Sequence, residues 1–294
     1  MGGLILGLIA IDLDGTLINN QHDISQESIK AIQVAQNDGY EVVIATGRSH
    51  FDAQKILKGV GLSLYTIGAN GATAHSPSGT NILSIEMPRD KVEAIVKWLD
   101  DAHLYYELFC DDGIYTPKEA RNILYQEIED ARYTATEAEI NFMSFHLEKQ
   151  LGQLGFVFME QNQDVFQGRH KIYNILAYSF DKHKRQHGWK TFKERKDLTL
   201  VTSSPFNFEL GHPDASKGNA IGYLAKVLNK TLSVSMAVGD SGNDTSMFGA
   251  VSHSYAMANA DDEVKAKAKY VTASNDEEGV AQAIYDFLNR IKIK

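Results

Sequence analysis

Residues 4–17 read LILGLIAIDLDGTL, an apolar run that ends at two aspartates followed by a Gly-Thr pair. A short, continuous apolar run is typical of a parallel strand that is buried on both faces, so residues 4–11 are predicted to form such a strand. The run is much shorter than the roughly 20 residues that a membrane helix needs, and it lacks a basic leader. Asp12 and Asp14 are therefore expected just beyond the carboxyl end of a buried strand.

The next segment adds a helix and a second strand. Residues 25–39 begin with a serine that can cap a helix, carry apolar side chains at helical spacing and end at a glycine. Residues 41–45 are then predicted to form another strand. A strand-helix-strand unit of this length builds a parallel sheet, whose ligand sites lie at the carboxyl ends of the strands. Residues 46–48, Thr-Gly-Arg, are therefore expected at the same sheet edge as Asp12.

The middle of the chain has a different pattern. After Pro88 one amphipathic helix is followed by short aromatic-rich runs, and further strands are predicted at 173–180, 198–202 and 206–210. The alternating α/β pattern resumes near Lys217 and includes a strand at 233–238. We therefore predict an α/β fold: a doubly wound, Rossmann-like parallel-sheet core, residues 1–85 and 209–294, with an inserted α+β domain, residues 86–208.

Length and composition agree with two globular domains. The chain has 294 residues, 43% of them hydrophobic, against a usual domain size of roughly 100 to 200 residues. A net charge of -9 argues against a nucleic-acid partner, because phosphate backbones are held by an excess of Lys and Arg. Cys110 is the single cysteine and suits a reducing compartment. With no export or membrane signal recognised, we expect a cytoplasmic protein that does not bind membranes.

Four short segments fall at predicted strand ends or helix starts, and together they suggest one site: 12–16, 46–48, 217–218 and 239–244. Carboxylates that converge at the edge of a parallel sheet are a reasonable Mg²⁺ site, because magnesium prefers oxygen ligands. A lysine at a helix start is repelled by the positive end of the helix dipole. An anion bound there would make the interaction favourable. A phosphoryl group could thus be held by Lys217, the Thr46 hydroxyl, the Gly47 amide and helix-terminal amides.

These segments resemble the four motifs of the haloacid dehalogenase superfamily, specifically its Cof-type phosphatases with a type IIB cap domain. The residues that match are Asp12-Leu13-Asp14-Gly15-Thr16-Leu17, Thr46-Gly47-Arg48, Lys217, and Gly239-Asp240 through Asn243-Asp244 with Met247. All four motifs occur in order, with a cap-sized insertion between the second and the third. The resemblance covers nearly the whole chain and implies that the inserted domain is a cap that sets substrate specificity.

The resemblance also implies a role for each site residue. Asp12 would attack phosphorus and form an aspartyl phosphate, while Asp14 would act as the general acid and then the general base. Mg²⁺ would be held by the Asp12 carboxylate, the Asp14 backbone carbonyl and Asp240. Asn243 would contact phosphate, and Asp244 would support the metal shell. Arg48 could belong to the site or pair with a neighbouring carboxylate.

The expected activity is magnesium-dependent hydrolysis of small phosphate monoesters, such as sugar phosphates or phosphorylated cofactors. Two alternatives stay open from the sequence. A sugar phosphomutase could use the same aspartyl phosphate, and a non-catalytic protein could bind a phosphorylated metabolite with the same residues. Oligomeric state is not readable from the sequence.

Overall fold

The computed structural model describes residues 7–161 and 163–292. The chain divides into two units: the core unit, Met1–Ser84 with Asp214–Lys294, and the inserted unit, Ile85–Pro213. Residues 4–6 of the predicted first strand lie outside the described part. None of the helices within the described ranges is both long enough and apolar enough to cross a membrane.

The first part of the core unit contains strands and helices in alternation, followed by a small antiparallel extension. Its elements are β1 (Leu8–Ile11), α1 (Gln26–Asn37), β2 (Glu41–Ala45), α2 (His50–Gly59), β3 (Tyr65–Gly68), β4 (Thr73–His75) and β5 (Asn81–Ser84). Helix α1 begins where predicted, because the Ser25 side chain accepts a hydrogen bond from the Ser28 N–H at 3.1 Å. Strand β4 was not predicted, and it pairs antiparallel with both β3 and β5.

The inserted unit has its own sheet. Its elements are α3 (Arg89–Asp101), β6 (Tyr105–Cys110), β7 (Ile114–Pro117), α4 (Ala120–Ala131), α5 (Glu137–Leu151), β8 (Phe156–Met159), α6 (Gln163–Gln167), β9 (Ile172–Tyr178), α7 (Lys182–Phe192), β10 (Thr199–Val201) and β11 (Asn207–Gly211). The strand order is β10-β11-β9-β6-β7-β8. Neighbouring strands are antiparallel except β7 and β8, which are parallel. The predicted boundary at residue 209 falls inside β11, which pairs with β9; the core unit resumes at Asp214 instead.

The returning part of the core unit completes the parallel sheet. Its elements are α8 (Lys217–Val227), β12 (Met236–Gly239), α9 (Thr245–Ala250), β13 (His253–Ala256), α10 (Asp262–Lys265), β14 (Tyr270–Val271) and α11 (Gly279–Lys292). The strand predicted at 233–238 starts too early, because Ser233 and Val234 belong to a 3₁₀ turn and β12 begins at Met236.

The core sheet has the order β14-β13-β12-β1-β2-β3-β4-β5, and the strands from β14 to β3 are parallel. Both of its faces are buried. Ile9 and Ile11 of β1 pack in one apolar cluster with α1 and α11, whereas Leu8 and Ala10 pack in a second cluster with α8 and α9. The predicted α/β class, with a doubly wound parallel-sheet core and an α+β insertion, is confirmed.

The inserted sheet buries a carboxyl group whose hydrogen bonds come from neutral side chains. Glu107 of β6 is 0% exposed and accepts hydrogen bonds from the Tyr105 hydroxyl at 2.6 Å and the Gln150 amide at 2.9 Å. Burial raises the pKa of Glu107 to about 7, while the bonds from Gln150 and Tyr105 oppose the shift and Glu209 adds to it.

This carboxyl group makes stability depend on pH. Between its ordinary pKa of 4.5 and the folded value of about 7, the folded protein retains a proton that the unfolded chain has released. The stability from the protonated form is therefore complete below about pH 4.5 and is lost as the pH rises to about 7. We expect the free energy of unfolding of Glu107→Gln, relative to that of the wild type, to rise by up to about 3 kcal/mol from pH 5 to pH 8.

Denaturant unfolding at the two pH values measures this gain, and any packing cost of the new amide cancels in the comparison. Glu160→Gln is the control, because Glu160 is exposed and pairs with Lys118 at the surface. A Glu107→Gln variant whose stability relative to the wild type is the same at pH 5 and pH 8 would contradict the prediction.

Candidate active site

A buried chain of charges links the first, third and fourth segments. The Lys217 ammonium lies 2.7 Å from Asp12 Oδ1 and 2.6 Å from Asp244 Oδ1. Asp12 follows β1, Lys217 begins α8, and Asp244 ends the 3₁₀ turn after β12, so three distant stretches of sequence meet at one point. All three side chains are almost fully buried, at 7% exposure or less.

Asp244 uses both of its oxygens to shape this region. Its Oδ1 faces Lys217, while its Oδ2 accepts the backbone N–H groups of Asp240 and Ser241, each at 2.9 Å. A Cβ on Gly239 would lie 2.5 Å from Asp244, so only glycine allows the carboxylate to approach so closely. The Asp244 side chain therefore holds both the lysine and the turn that carries Asp240.

Asp240 adds a third carboxylate. Oxygens of Asp12, Asp240 and Asp244 lie within 4.8 Å of one another. Asp240 Oδ1 accepts the Thr16 hydroxyl at 2.9 Å, and Gly15, with φ of +78°, lies against it: a Cβ there would be 2.6 Å from Asp240 Oδ2. The DGT sequence thus supplies a left-handed glycine and a hydroxyl donor for Asp240, two contributions that the sequence analysis did not recognise.

The electrostatics of this carboxylate cluster favour a bound cation. Burial and then repulsion from Asp244 raise the pKa of Asp12 well above its usual range, and Lys217 opposes this. Burial and Asp244 likewise raise the pKa of Asp240. Burial lowers the pKa of Lys217, but Asp12 and Asp244 outweigh it and the net shift is upward. Three carboxylates beside the Lys217 ammonium leave an excess of negative charge, which a divalent cation with oxygen preference would offset.

The Asp14 carboxylate turns to a different partner. Arg48 Nε lies 2.6 Å from Asp14 Oδ2 and Nη2 lies 2.8 Å from Asp14 Oδ1, a bidentate ion pair. Nη1 of the same guanidinium lies 2.5 Å from Asp52 Oδ2 in α2. Arg48 therefore pairs with two carboxylates, one of which belongs to the predicted site residue Asp14.

The second segment lies one strand away from Asp12. Strands β1 and β2 pair in parallel with Ile11 opposite Ile44, so Thr46 follows at the same sheet edge. Thr46 is 1% exposed, and its hydroxyl accepts the Arg48 N–H at 3.1 Å. A Cβ on Gly47 would lie 3.2 Å from Asn70 Oδ1, which shows how closely this backbone approaches the next turn.

Asn243, the predicted phosphate contact, meets a residue that the sequence analysis passed over. Its Nδ2 donates to Asn70 Oδ1 at 3.0 Å, and both side chains are buried. Asn70 was not among the predicted site residues. Its signal in the sequence was the Asn-Gly pair, which is common at left-handed turns and carries no information on a distant partner.

Comparison with known proteins gives a consistent result. A family model described as haloacid dehalogenase-like hydrolase matches residues 9–284. Phosphatase YwpJ of Bacillus subtilis (strain 168) is 42% identical over 283 residues, covering 96% of this chain and 99% of the relative. The 5-amino-6-(5-phospho-D-ribitylamino)uracil phosphatase YwtE of the same bacterium is 34% identical over 281 residues, covering 96% and 98%.

A solved structure of a haloacid dehalogenase-like hydrolase from B. subtilis is similar over almost the full length. It is 42% identical, covers 95% of this chain and 99% of its own, and has a TM-score of 0.85.

Proposed function

The chain belongs to the haloacid dehalogenase-like hydrolases and is a phosphoric monoester hydrolase. From this premise we propose that it hydrolyses small phosphate monoesters with Mg²⁺. The reaction would pass through an aspartyl phosphate on Asp12. The observation that carries the proposal is the buried contact of Lys217 with Asp12 and Asp244, beside Asp240. A buried carboxylate that ends a strand, is paired with lysine and is surrounded by like charges is arranged as a nucleophile that stays ionised once a cation binds.

In the proposed reaction the Asp12 carboxylate attacks phosphorus in line. A bond forms between Asp12 and phosphorus, the bond from phosphorus to the ester oxygen breaks, and Asp14 gives its proton to the departing alcohol. Asp14 then takes a proton from a water molecule that attacks the phosphorus, which releases orthophosphate and regenerates Asp12. In this structure the Asp14 carboxylate is paired with Arg48, so it must take up a proton from solvent and leave that pair before it can protonate the departing alcohol.

The phosphoryl oxygens would be bound by Thr46, Gly47, Lys217 and Asn243. Thr46 offers a hydroxyl and Gly47 a backbone N–H at the end of β2, and Asn243 offers the second N–H of its amide. Lys217 contributes a full positive charge 2.7 Å from the proposed nucleophile. Together these groups would neutralise the charge of a phosphate dianion and orient it toward Asp12.

The carboxylates of Asp12 and Asp240 and the backbone carbonyl of Asp14 would hold the metal. A bound Mg²⁺ would polarise the phosphoryl group and offset the mutual repulsion of the carboxylates. Hard oxygen donors of this kind suit magnesium better than thiophilic metals. Asp244, whose two oxygens are engaged with Lys217 and the turn after β12, would support this shell without binding the ion.

Metal removal tests this part of the proposal. We expect chelation with EDTA to lower turnover about a hundredfold or more, since each removed charge contact in such a site is worth several kcal/mol, and Mg²⁺ to restore it. Asp240→Asn should require more Mg²⁺ for half-maximal activity, whereas Asp276→Asn, which alters an exposed carboxylate of the core unit, should not. Full activity in EDTA would contradict magnesium dependence.

The substrate class is tested with a panel of phosphorylated metabolites and an assay for released orthophosphate. The panel contains hexose phosphates, pyridoxal and flavin phosphates, and the phosphorylated ribitylaminouracil named for the relative YwtE. An isomeric sugar phosphate formed without orthophosphate would identify a mutase, and binding without turnover would identify a non-catalytic protein.

We further propose a cytoplasmic location, which the single cysteine suits.

A further inference from the structure

The turn between β3 and β4 has an unusual backbone. Its three residues all have positive φ: +47° at Ala69, +54° at Asn70 and +102° at Gly71. Left-handed conformations are unfavourable for residues with a Cβ, and asparagine tolerates them better than alanine. Two such residues in succession persist only where the surrounding structure fixes them, and such sites cluster where function requires a defined geometry.

Backbone contacts tie this turn to the segment that would bind phosphate. The Asn70 N–H donates to the Thr46 carbonyl at 3.1 Å, and the Ala69 N–H donates to the Arg48 carbonyl at 2.9 Å. On the other side, a Cβ on Gly71 would lie 2.1 Å from the Ser216 carbonyl oxygen and 2.8 Å from the Lys217 nitrogen. The turn thus packs between the Thr46–Arg48 segment and the start of α8.

The Asn70 side chain makes the third connection. It is 8% exposed, and its Oδ1 lies between Gly47, whose added Cβ would be 3.2 Å away, and Asn243 Nδ2 at 3.0 Å. This bond occupies one N–H of the Asn243 amide and fixes its rotation, which leaves the other N–H for a ligand. Asn243 Oδ1 is buried without a hydrogen-bond partner among the described residues, as expected of a group that completes its bonding with a ligand or water.

We propose that Asn70 is a positioning residue of the phosphate site, which orients the Asn243 amide and fixes Thr46 and Gly47 relative to Lys217. The inference rests on the proposed phosphatase function and extends it to a residue outside the four motifs. Glycine would adopt the left-handed conformation more easily than asparagine, so the backbone alone does not call for an amide at position 70. The contact with Asn243 does.

The test separates the amide from the backbone. Asn70→Gly removes the side chain and relieves the left-handed conformation, and Asn229→Gly does the same at an exposed left-handed asparagine after α8. We expect Asn70→Gly to raise KM and the inhibition constant of orthophosphate about tenfold, as loss of one oriented bond to a charged group implies, with kcat changed by less than about threefold. Its unfolding midpoint should not fall. Asn229→Gly should keep wild-type kinetics.

A double-mutant cycle shows whether Asn70 acts through Asn243. In an Asn243→Ala background, Asn70→Gly should change KM by less than about twofold, because the amide it orients is already absent. A full additional tenfold effect in that background would show that Asn70 does not act through Asn243, which overturns the proposed orientation of that amide. Wild-type KM and orthophosphate inhibition in the single Asn70→Gly variant would overturn it as well.

Orthophosphate binding, measured by calorimetry with Mg²⁺, separates this inference from the proposed function. If the wild type turns over no ester yet binds orthophosphate about tenfold more tightly than Asn70→Gly, the phosphatase proposal fails and the role of Asn70 stands. If the wild type turns over esters and Asn70→Gly binds orthophosphate equally well, the role of Asn70 fails alone. If the wild type neither turns over esters nor binds orthophosphate, both are wrong.

Discussion

Asp12→Asn is expected to lower the turnover of every phosphate monoester by about a thousandfold or more, because an amide cannot form the aspartyl phosphate that splits the reaction into two easier steps. The substitution keeps the size of the side chain and an oxygen that can accept from Lys217, which lies 2.7 Å from Asp12 Oδ1. It also removes one of the three charges of the carboxylate cluster. The variant should therefore fold, and its loss of activity should reflect chemistry.

Rapid acid quench during turnover of a phosphorus-labelled substrate measures the intermediate directly. The wild type should retain label that hydroxylamine releases, as expected of an acyl phosphate, and Asp12→Asn should retain none. Asp23→Asn is the control, since Asp23 is exposed in the same unit. Turnover of Asp12→Asn at a tenth of the wild-type rate, or labelled Asp12→Asn protein, would show that the nucleophile lies elsewhere.

The core unit was predictable from sequence because its strands are buried on both faces. The apolar residues 8–11 and 42–45 belong to β1 and β2, and the polar residues that follow them, Asp12 and Thr46, mark the carboxyl edge of the sheet. Parallel topology then brings those edges together. This is why four segments far apart in the sequence could be assigned to one site before any distances were known.

The contacts within the site were less predictable, because they depend on register and side-chain direction across distant segments. Nothing near Asn70 in the sequence indicates that its amide meets Asn243, 173 positions away. The Asp14 carboxylate was expected among the catalytic groups, and its bidentate pairing with Arg48 follows only from how the ends of β1 and β2 are placed. The ion pair between Asp244 and Lys217 likewise became known only from the structure.

The inserted unit was harder to interpret for a different reason. Helix α5 buries only Ile140 and Leu147, while Phe142 and Phe145 are exposed, so no clear apolar stripe marks it as a helix. The predicted boundary at residue 209 falls inside β11, a strand that is buried along its whole length although its sequence, NFELG, includes an asparagine and a glutamate. Its antiparallel pairing with β9, which assigns it to the inserted sheet, is not encoded in its own residues.

Lys217→Met is expected to have the largest effect on stability of any single substitution considered, a loss of about 3 to 5 kcal/mol. Lys217 is 1% exposed, and its ammonium lies 2.7 Å from Asp12 and 2.6 Å from Asp244. Methionine fills a similar volume but leaves two buried carboxylates facing each other without a cation. Denaturant unfolding in EDTA measures the loss, and Lys226→Met, at an exposed lysine of the same helix, should be nearly neutral.

The double variant Lys217→Met with Asp244→Asn separates the structural role of this lysine from its role in the reaction. Removing the Asp244 charge relieves the repulsion that the lysine had offset, so the double variant should recover a substantial part of the lost stability. It should not recover activity, because the phosphate would still lack the Lys217 charge beside the nucleophile. Recovery of both would mean that Lys217 only balances the carboxylates, whereas wild-type stability of Lys217→Met alone would mean that the buried ion pairs do not hold this part of the fold together.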